Sequence, residues 1–325
     1  MMRAFVFPGQ GSQKVGMGAD LAAASAVARA VFEEVDDALG QKLSRLMKEG
    51  PEEDLMLTAN AQPAIMANAI AVLRVLEQEG GMALADKASF VAGHSLGEYT
   101  ALCAAGAFSL ADTARLLRLR GEAMQAAVPV GVGAMAALLG ADIQKATALA
   151  EAAAEGPLPG RAERLVCTVA NDNDPTQVVI SGHREAIERA IALVKEHGIK
   201  RGVLLPVSAP FHCSLMQPAA DAMAEALAQT PPGALRVPLF ANVTAAIASE
   251  PAEVQRLLVE QVTGRVRWRE SALAMQAAGV EQFVEFGGKV LGPMLSRTCQ
   301  AIEGADVSVT SVGTMAEIEA LAKNL

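Results

Sequence analysis

A serine with glycines two residues to either side, Gly93-His94-Ser95-Leu96-Gly97, is the pattern of a nucleophile elbow. In such a turn the chain passes from strand to helix so tightly that the serine is strained and its hydroxyl projects alone. The chemistry it serves is acyl transfer through a covalent acyl-serine. The five-residue pattern is weak by itself, and its flanks carry the weight. Residues 88–92 are small or apolar and read as a short buried strand, and the Ala/Leu/Cys-rich run from Tyr99 reads as a buried helix.

A serine hydroxyl needs a base, and the chain offers four histidines. His94 adjoins Ser95, where neighbouring side chains point apart. His183 follows Gly182 at a helix start and His197 falls in the last turn of the same helix, so both read as surface residues. His212 stands in an irregular, proline-containing loop at a junction of two domains, where clefts form. It is either the base or a hydrogen-bonded core histidine. No acidic residue between Arg120 and His212 has an evident elbow-facing place, so a neutral group such as a backbone carbonyl is expected to orient the imidazole.

Arg120 shares the apolar stripe of its helix with Leu116, Leu117 and Met124, and so should face inward. Burying a guanidinium without an anion costs several kcal/mol. Its partner is either a core carboxylate or the carboxylate of a substrate, held by two parallel hydrogen bonds.

The elements that must position these groups follow from the pattern. Residues 4–7 form an apolar strand that stops at Pro8-Gly9-Gln10-Gly11. That loop matches no phosphate-binding fingerprint; its glycines let backbone N–H groups and Gln10 approach a reacting centre. Residues 21–79 read as several helices broken at Gly40, Gly50-Pro51 and Pro63. A start signal at Ser109 opens the helix of Arg120, on which Arg115 and Arg118 form a solvated face with Asp112 and Glu122. From Gly133 the order is strand, helix, strand, strand, helix, strand, with a loop at 156–160 and a turn at 171–175. The main pattern resumes near Val207 and ends in a last core strand, 282–286, and a final helix after Gly287-Gly288. The expected class is α/β: an α/β-hydrolase-like large domain with a mainly parallel sheet, residues 1–130 and 207–325, carrying an inserted ferredoxin-like (βαββαβ) subdomain, 131–206.

Composition bounds the setting. An apolar share of 52% with 3% aromatic means that Ala, Val and Leu fill the core. No apolar run reaches the roughly 18 residues of a membrane span, and the start has no signal-peptide pattern. Four scattered cysteines suit neither a zinc site nor a disulfide framework, and a cytoplasmic setting is expected. A net charge of −9 argues against nucleic acid or an anionic membrane as the partner.

FPGQGSQ at 7–13, GHSLGE at 93–98, the Arg120-Gly121 pair, QVVISG at 177–182 and FHCSLM at 211–216 together resemble the malonyl-CoA:acyl-carrier-protein transacylase family, in order and over essentially the whole chain. The resemblance implies a malonyl-serine at Ser95 with His212 as base, Arg120 on the malonyl carboxylate, an oxyanion hole of the Gln10 and Leu96 N–H groups, and the Gln261 carbonyl orienting the base. Met124 and Phe211 are candidates for the acyl pocket. The implied substrates are malonyl-CoA and the phosphopantetheine thiol of acyl carrier protein, with no metal or bound cofactor. The chain looks like the stand-alone enzyme of dissociated fatty-acid synthesis. It departs from the family at Gly287-Gly288-Lys289-Val290-Leu291, one residue shorter than the usual turn and without its proline. Arg115, Arg118, Lys200 and Arg201 are candidates for docking the acidic carrier. The rival readings are a serine hydrolase or thioesterase using the same elbow, and a non-catalytic acyl-binding protein of the same fold.

Overall fold

A computed structural model describes residues 1–155, 164–302 and 307–325; the loop expected at 156–160 lies outside them. The strands in chain order are β1 (Met2–Phe7), β2 (Phe90–Gly93), β3 (Gly133–Leu139), β4 (Cys167–Asp174), β5 (Gln177–His183), β6 (Arg201–Leu204), β7 (Leu239–Ala241), β8 (Ala246–Ala248), β9 (Val280–Phe286) and β10 (Ser308–Val312). Six of them form one sheet in the order β10-β9-β1-β2-β7-β8, parallel except for the β7/β8 pair. Successive side chains on a strand point to opposite faces, and β1 shows why this sheet is covered on both. Phe5 and Phe7 enter one apolar cluster, with Val91, Val284 and Phe286; Ala4 and Val6 enter another, with Ala92, Phe283 and Trp268.

The other four strands form an antiparallel sheet, β4-β5-β3-β6. It has its own apolar core beneath the helices Ile143–Ala154 and Arg184–Leu193, in the βαββαβ order expected. Among the described residues, no helix is long and apolar enough to cross a membrane.

Several boundaries differ from expectation, each for a physical reason. Pro63 breaks nothing: it lies in the second turn of the helix Thr58–Gln78, where a missing N–H removes one intrahelical bond. The helix ending near His197 stops at Leu193, and a run of turns follows it. The strand at 280–286 is not the last of the core, because β10 pairs beside it; that edge strand is only partly buried and rich in Ser and Thr, so it lacks a strong apolar signal. The helices Trp268–Ala277 and Met315–Ala322 and the strand β8 went unanticipated.

The largest difference is at 171–175, whose Asn, Asp and Pro content suits a turn. Instead β4 continues through Asp174, with register shifts on either side of Asn171 and Asp172. Tertiary partners hold it. Asp172 accepts from Arg269 at 2.8–3.1 Å, Asp174 accepts from Arg297 at 2.7 Å and 3.0 Å, and Asp172 N donates to Val266 O at 2.9 Å. Both carboxylates are fully buried, and burial pushes Asp172 above the usual range even beside its guanidinium. These pairs tie the small sheet to the helices Trp268–Ala277 and Leu291–Cys299 of the large one. Arg269→Ala strands the Asp172 charge without its partner and is expected to cost about 3 kcal/mol in chemical denaturation. Arg115→Ala, which breaks only the exposed pair with Asp112, should stay within about 0.5 kcal/mol.

Candidate active site

Strand β2 ends at Gly93 and the helix Leu96–Ala104 begins one residue after Ser95, whose backbone sits at φ 54°, ψ −112°. A side chain at Gly93 would put its Cβ 1.9 Å from the carbonyl carbon of Gly97, and one at Gly97 would come 2.2 Å from Phe7 O. Only glycine fits either place, and the turn closes against β1. Asn242, just beyond β7, braces it: its Oδ1 accepts from Ser95 N at 2.8 Å and its Nδ2 donates to Gly93 O at 2.7 Å.

Ser95 Oγ lies 2.7 Å from Nε2 of His212, a residue also held at positive φ, 59°. The other ring nitrogen, Nδ1, faces Gln261 O at 2.9 Å and Gly264 O at 3.1 Å. Carbonyls only accept, so Nδ1 carries the hydrogen and Nε2 presents its lone pair to the serine hydroxyl. Burial and then Arg120 push the imidazole down to about 3, while the two carbonyl contacts oppose that shift. The ring is neutral at any ordinary pH. Among the described residues no carboxylate is bonded to it, and the two β4 aspartates, Asp172 and Asp174, are taken by Arg269 and Arg297.

Arg120 is 1% exposed and lies beneath the elbow. Its Nη1 donates to Gln62 Oε1 at 2.8 Å, and its Nη2 to Gln261 Oε1 at 2.9 Å and to Ser95 Oγ at 3.1 Å. The neighbouring Gly121 permits this position, since a Cβ there would meet Thr58 O and Ala59 Cα at 2.7 Å. Among the described residues no carboxylate comes within ion-pair distance, and Nε has no partner. A guanidinium has five N–H donors, and here they meet neutral groups or nothing.

The cleft above Ser95 encloses about 270 Å³ and runs between the two sheets, with Gln10, His94, Asn173, Phe211 and Leu291 in its walls. Among the described residues the N–H groups of Gln10 and Leu96 have no internal acceptor. Phe211 lines the cleft as expected, whereas Met124 does not: it is buried against Gln62, whose Nε2 lies 3.7 Å from its sulfur. His94 turns away from the base, its Nε2 2.8 Å from Asn173 Oδ1, yet it shares the cleft wall; burial pushes its pKa below the usual imidazole value.

The side chains of Gln62, Asn242 and Gln261 are the groups that sequence reasoning missed. Neutral amides follow no spacing rule, and the resemblance pointed only to the backbone of Gln261. Arg115 donates to Asp112 as expected, and Arg118 donates to Gln41 and Asn60. The shortened Gly287-Gly288 turn is secured by buried Glu285, which accepts from the N–H groups of Val290, Leu291 and Gly292 at 2.8–2.9 Å. Among the described residues no group of three or more His, Cys, Asp or Glu is placed to hold a metal.

A serine on a strained strand-to-helix turn touches a histidine and a buried arginine between an α/β sheet and a ferredoxin-like one, an arrangement suited to acyl transfer. The acyl transferase domain family matches residues 4–317, and the chain belongs to that family, among the malonyl CoA-acyl carrier protein transacylases. The transacylase of Escherichia coli K12 is 44% identical over 309 residues, covering 95% of this chain and 96% of that one. The crystal structure of the acyl-carrier-protein S-malonyltransferase of Bartonella henselae superposes with a TM-score of 0.93 at 52% identity, over 100% of this chain and 99% of that one. A malonyl-transacylase solved in complex with its type II PKS acyl-carrier protein superposes at 0.92, with 39% identity and 100% of both chains covered.

Proposed function

We propose that this chain moves a malonyl group from malonyl-CoA to the phosphopantetheine thiol of acyl carrier protein through a malonyl-serine at Ser95, in a ping-pong cycle that supplies fatty-acid synthesis. The observation that carries the reading is one hydroxyl within 2.7 Å of a neutral imidazole and 3.1 Å of a buried guanidinium. His212 takes the serine proton as Oγ attacks the thioester carbonyl. The oxyanion accepts from Gln10 N and Leu96 N, each donor contributing roughly 3–4 kcal/mol in comparable sites. Collapse expels the CoA thiolate, which leaves with the proton from His212. The carrier thiol then gives its proton to His212, attacks the same carbonyl, and regenerates the free serine. Arg120 holds the malonyl carboxylate. Every step is assigned to side chains and backbone amides, and no cofactor is called for.

The names of the relatives support this choice of substrate and acceptor over hydrolysis, as does an imidazole oriented by carbonyls instead of a carboxylate. On this reading residues 1–130 and 207–325 are the catalytic domain and 131–206 the insertion. Four buried free cysteines suit the cytoplasm. The test is intact mass after brief mixing with malonyl-CoA, followed by addition of carrier protein. One malonyl adduct should form, be absent from Ser95→Ala, and pass to the carrier; decay to free malonate at a rate indifferent to carrier would mark a hydrolase.

A further inference from the structure

Glu98 has no part in those steps, yet it lies one helical turn beyond Ser95 with 1% of its surface exposed. Its Oε2 accepts from Gln261 Nε2 at 2.7 Å and from Asn242 N at 3.2 Å, while Oε1 has no hydrogen-bond partner. On the far side of the same Gln261 amide, Oε1 accepts from Arg120 Nη2 at 2.9 Å. One carboxamide thus joins a buried carboxylate to a buried guanidinium that never touch directly. The titratable groups around Glu98 are Arg120 from the helix Leu110–Ala126, Tyr99 on its own helix and, across Gln261, the neutral His212. Arg120 is the one cation in this set.

A carboxylate arriving at Arg120 would set two negative charges against that single positive one, away from water. An uncompensated buried charge costs several kcal/mol. Protonating Glu98 removes it at little cost, because burial already pushes this carboxyl up to about 7, against the opposing contacts of Gln261, Asn242 and Arg120. The geometry suits the neutral acid. Oε2 keeps both of its donors, and the partnerless Oε1 can carry the hydrogen without breaking a bond.

We propose that Glu98 decides the charge of the acyl group this site accepts: a carboxylate-bearing acyl group seats on Arg120 together with one proton, which Glu98 takes up, and an uncharged acyl group seats without one. The inference rests on Arg120 as the carboxylate site. Glu98 touches no substrate and acts through Gln261 and Arg120.

The test is calorimetry of malonyl-CoA binding to the full chain carrying Ser95→Ala, at about pH 8 in two buffers of different ionisation enthalpy, with acetyl-CoA as the comparison. Close to one proton should enter with each malonyl group and none with acetyl. In the double variant Ser95→Ala/Glu98→Gln the malonyl proton should vanish. Above pH 7 the malonyl-CoA dissociation constant should rise roughly tenfold per pH unit in the first protein and stay flat in the second. Independently of whether the double variant folds, an infrared difference spectrum of the first should gain a protonated-carboxyl band on malonyl-CoA binding. Binding without proton uptake overturns the proposal, as does uptake that persists after Glu98→Gln, which would place the proton on His212. If Arg120→Ala leaves malonyl-CoA and acetyl-CoA binding alike, the carboxylate-site reading itself falls, and this inference with it.

Discussion

Arg120→Ala is expected to lower malonyl transfer by a hundred- to several-thousand-fold while acetyl transfer survives or rises. The range follows from truncating one member of a desolvated charge pair, about 3–5 kcal/mol, at 1.4 kcal/mol per factor of ten. In the free protein the guanidinium donates to Gln62, Gln261 and Ser95, all neutral, and Glu98 faces it only through Gln261, so no carboxylate occupies its N–H donors. A structural ion pair would have left a carboxylate in contact with it. Because the substitution also frees the oxygens of two buried amides, stability will drop, and comparing two acyl groups on one variant removes that effect. Arg120→Lys should fall between, since an ammonium keeps the charge but loses the planar fork. Equal losses of malonyl and acetyl transfer would eliminate the carboxylate clamp.

His212→Ala should slow acylation of Ser95 by roughly 10²- to 10⁴-fold, the usual contribution of a positioned base. A merely structural histidine would cost stability and leave the single-turnover acylation rate nearly untouched. The pH dependence separates the two as well. An ordinary histidine gains its proton as pH falls through 6.5, and the base would be lost there. In this site burial and Arg120 hold the pKa down at about 3, so the neutral, proton-accepting form persists far below 6.5. Rapid-quench acylation should therefore show no loss attributable to His212 between about pH 7 and 5, and a limb near 6.5 would contradict the buried, carbonyl-held geometry.

Much of this was legible in the chain because the signals are local. The Gly93 and Gly97 spacing is forced by contacts of 1.9 Å and 2.2 Å that no side chain could survive, so the elbow is written in glycine. Arg120 announced its burial by its place on an apolar stripe, and the βαββαβ order by its alternating periods. The serine in its elbow, the candidate histidine in its irregular loop, the buried cation and the two-sheet architecture all follow from such short-range patterns.

What the tertiary structure alone decided is how neutral and paired groups meet. Asn242, Gln62 and the Gln261 side chain converge on Ser95 and Arg120 from segments far apart in sequence, and an amide has no charge, period or spacing by which to declare a partner. The run at 171–175 reads locally as a turn and becomes a strand because Arg269, Arg297 and Val266 reach it from distant segments. Met124 carries the stripe of Arg120's helix into the core instead of into the cleft. Local sequence sets which groups the chain can offer, and long-range packing sets which of them are left facing one another once the apolar faces have been buried.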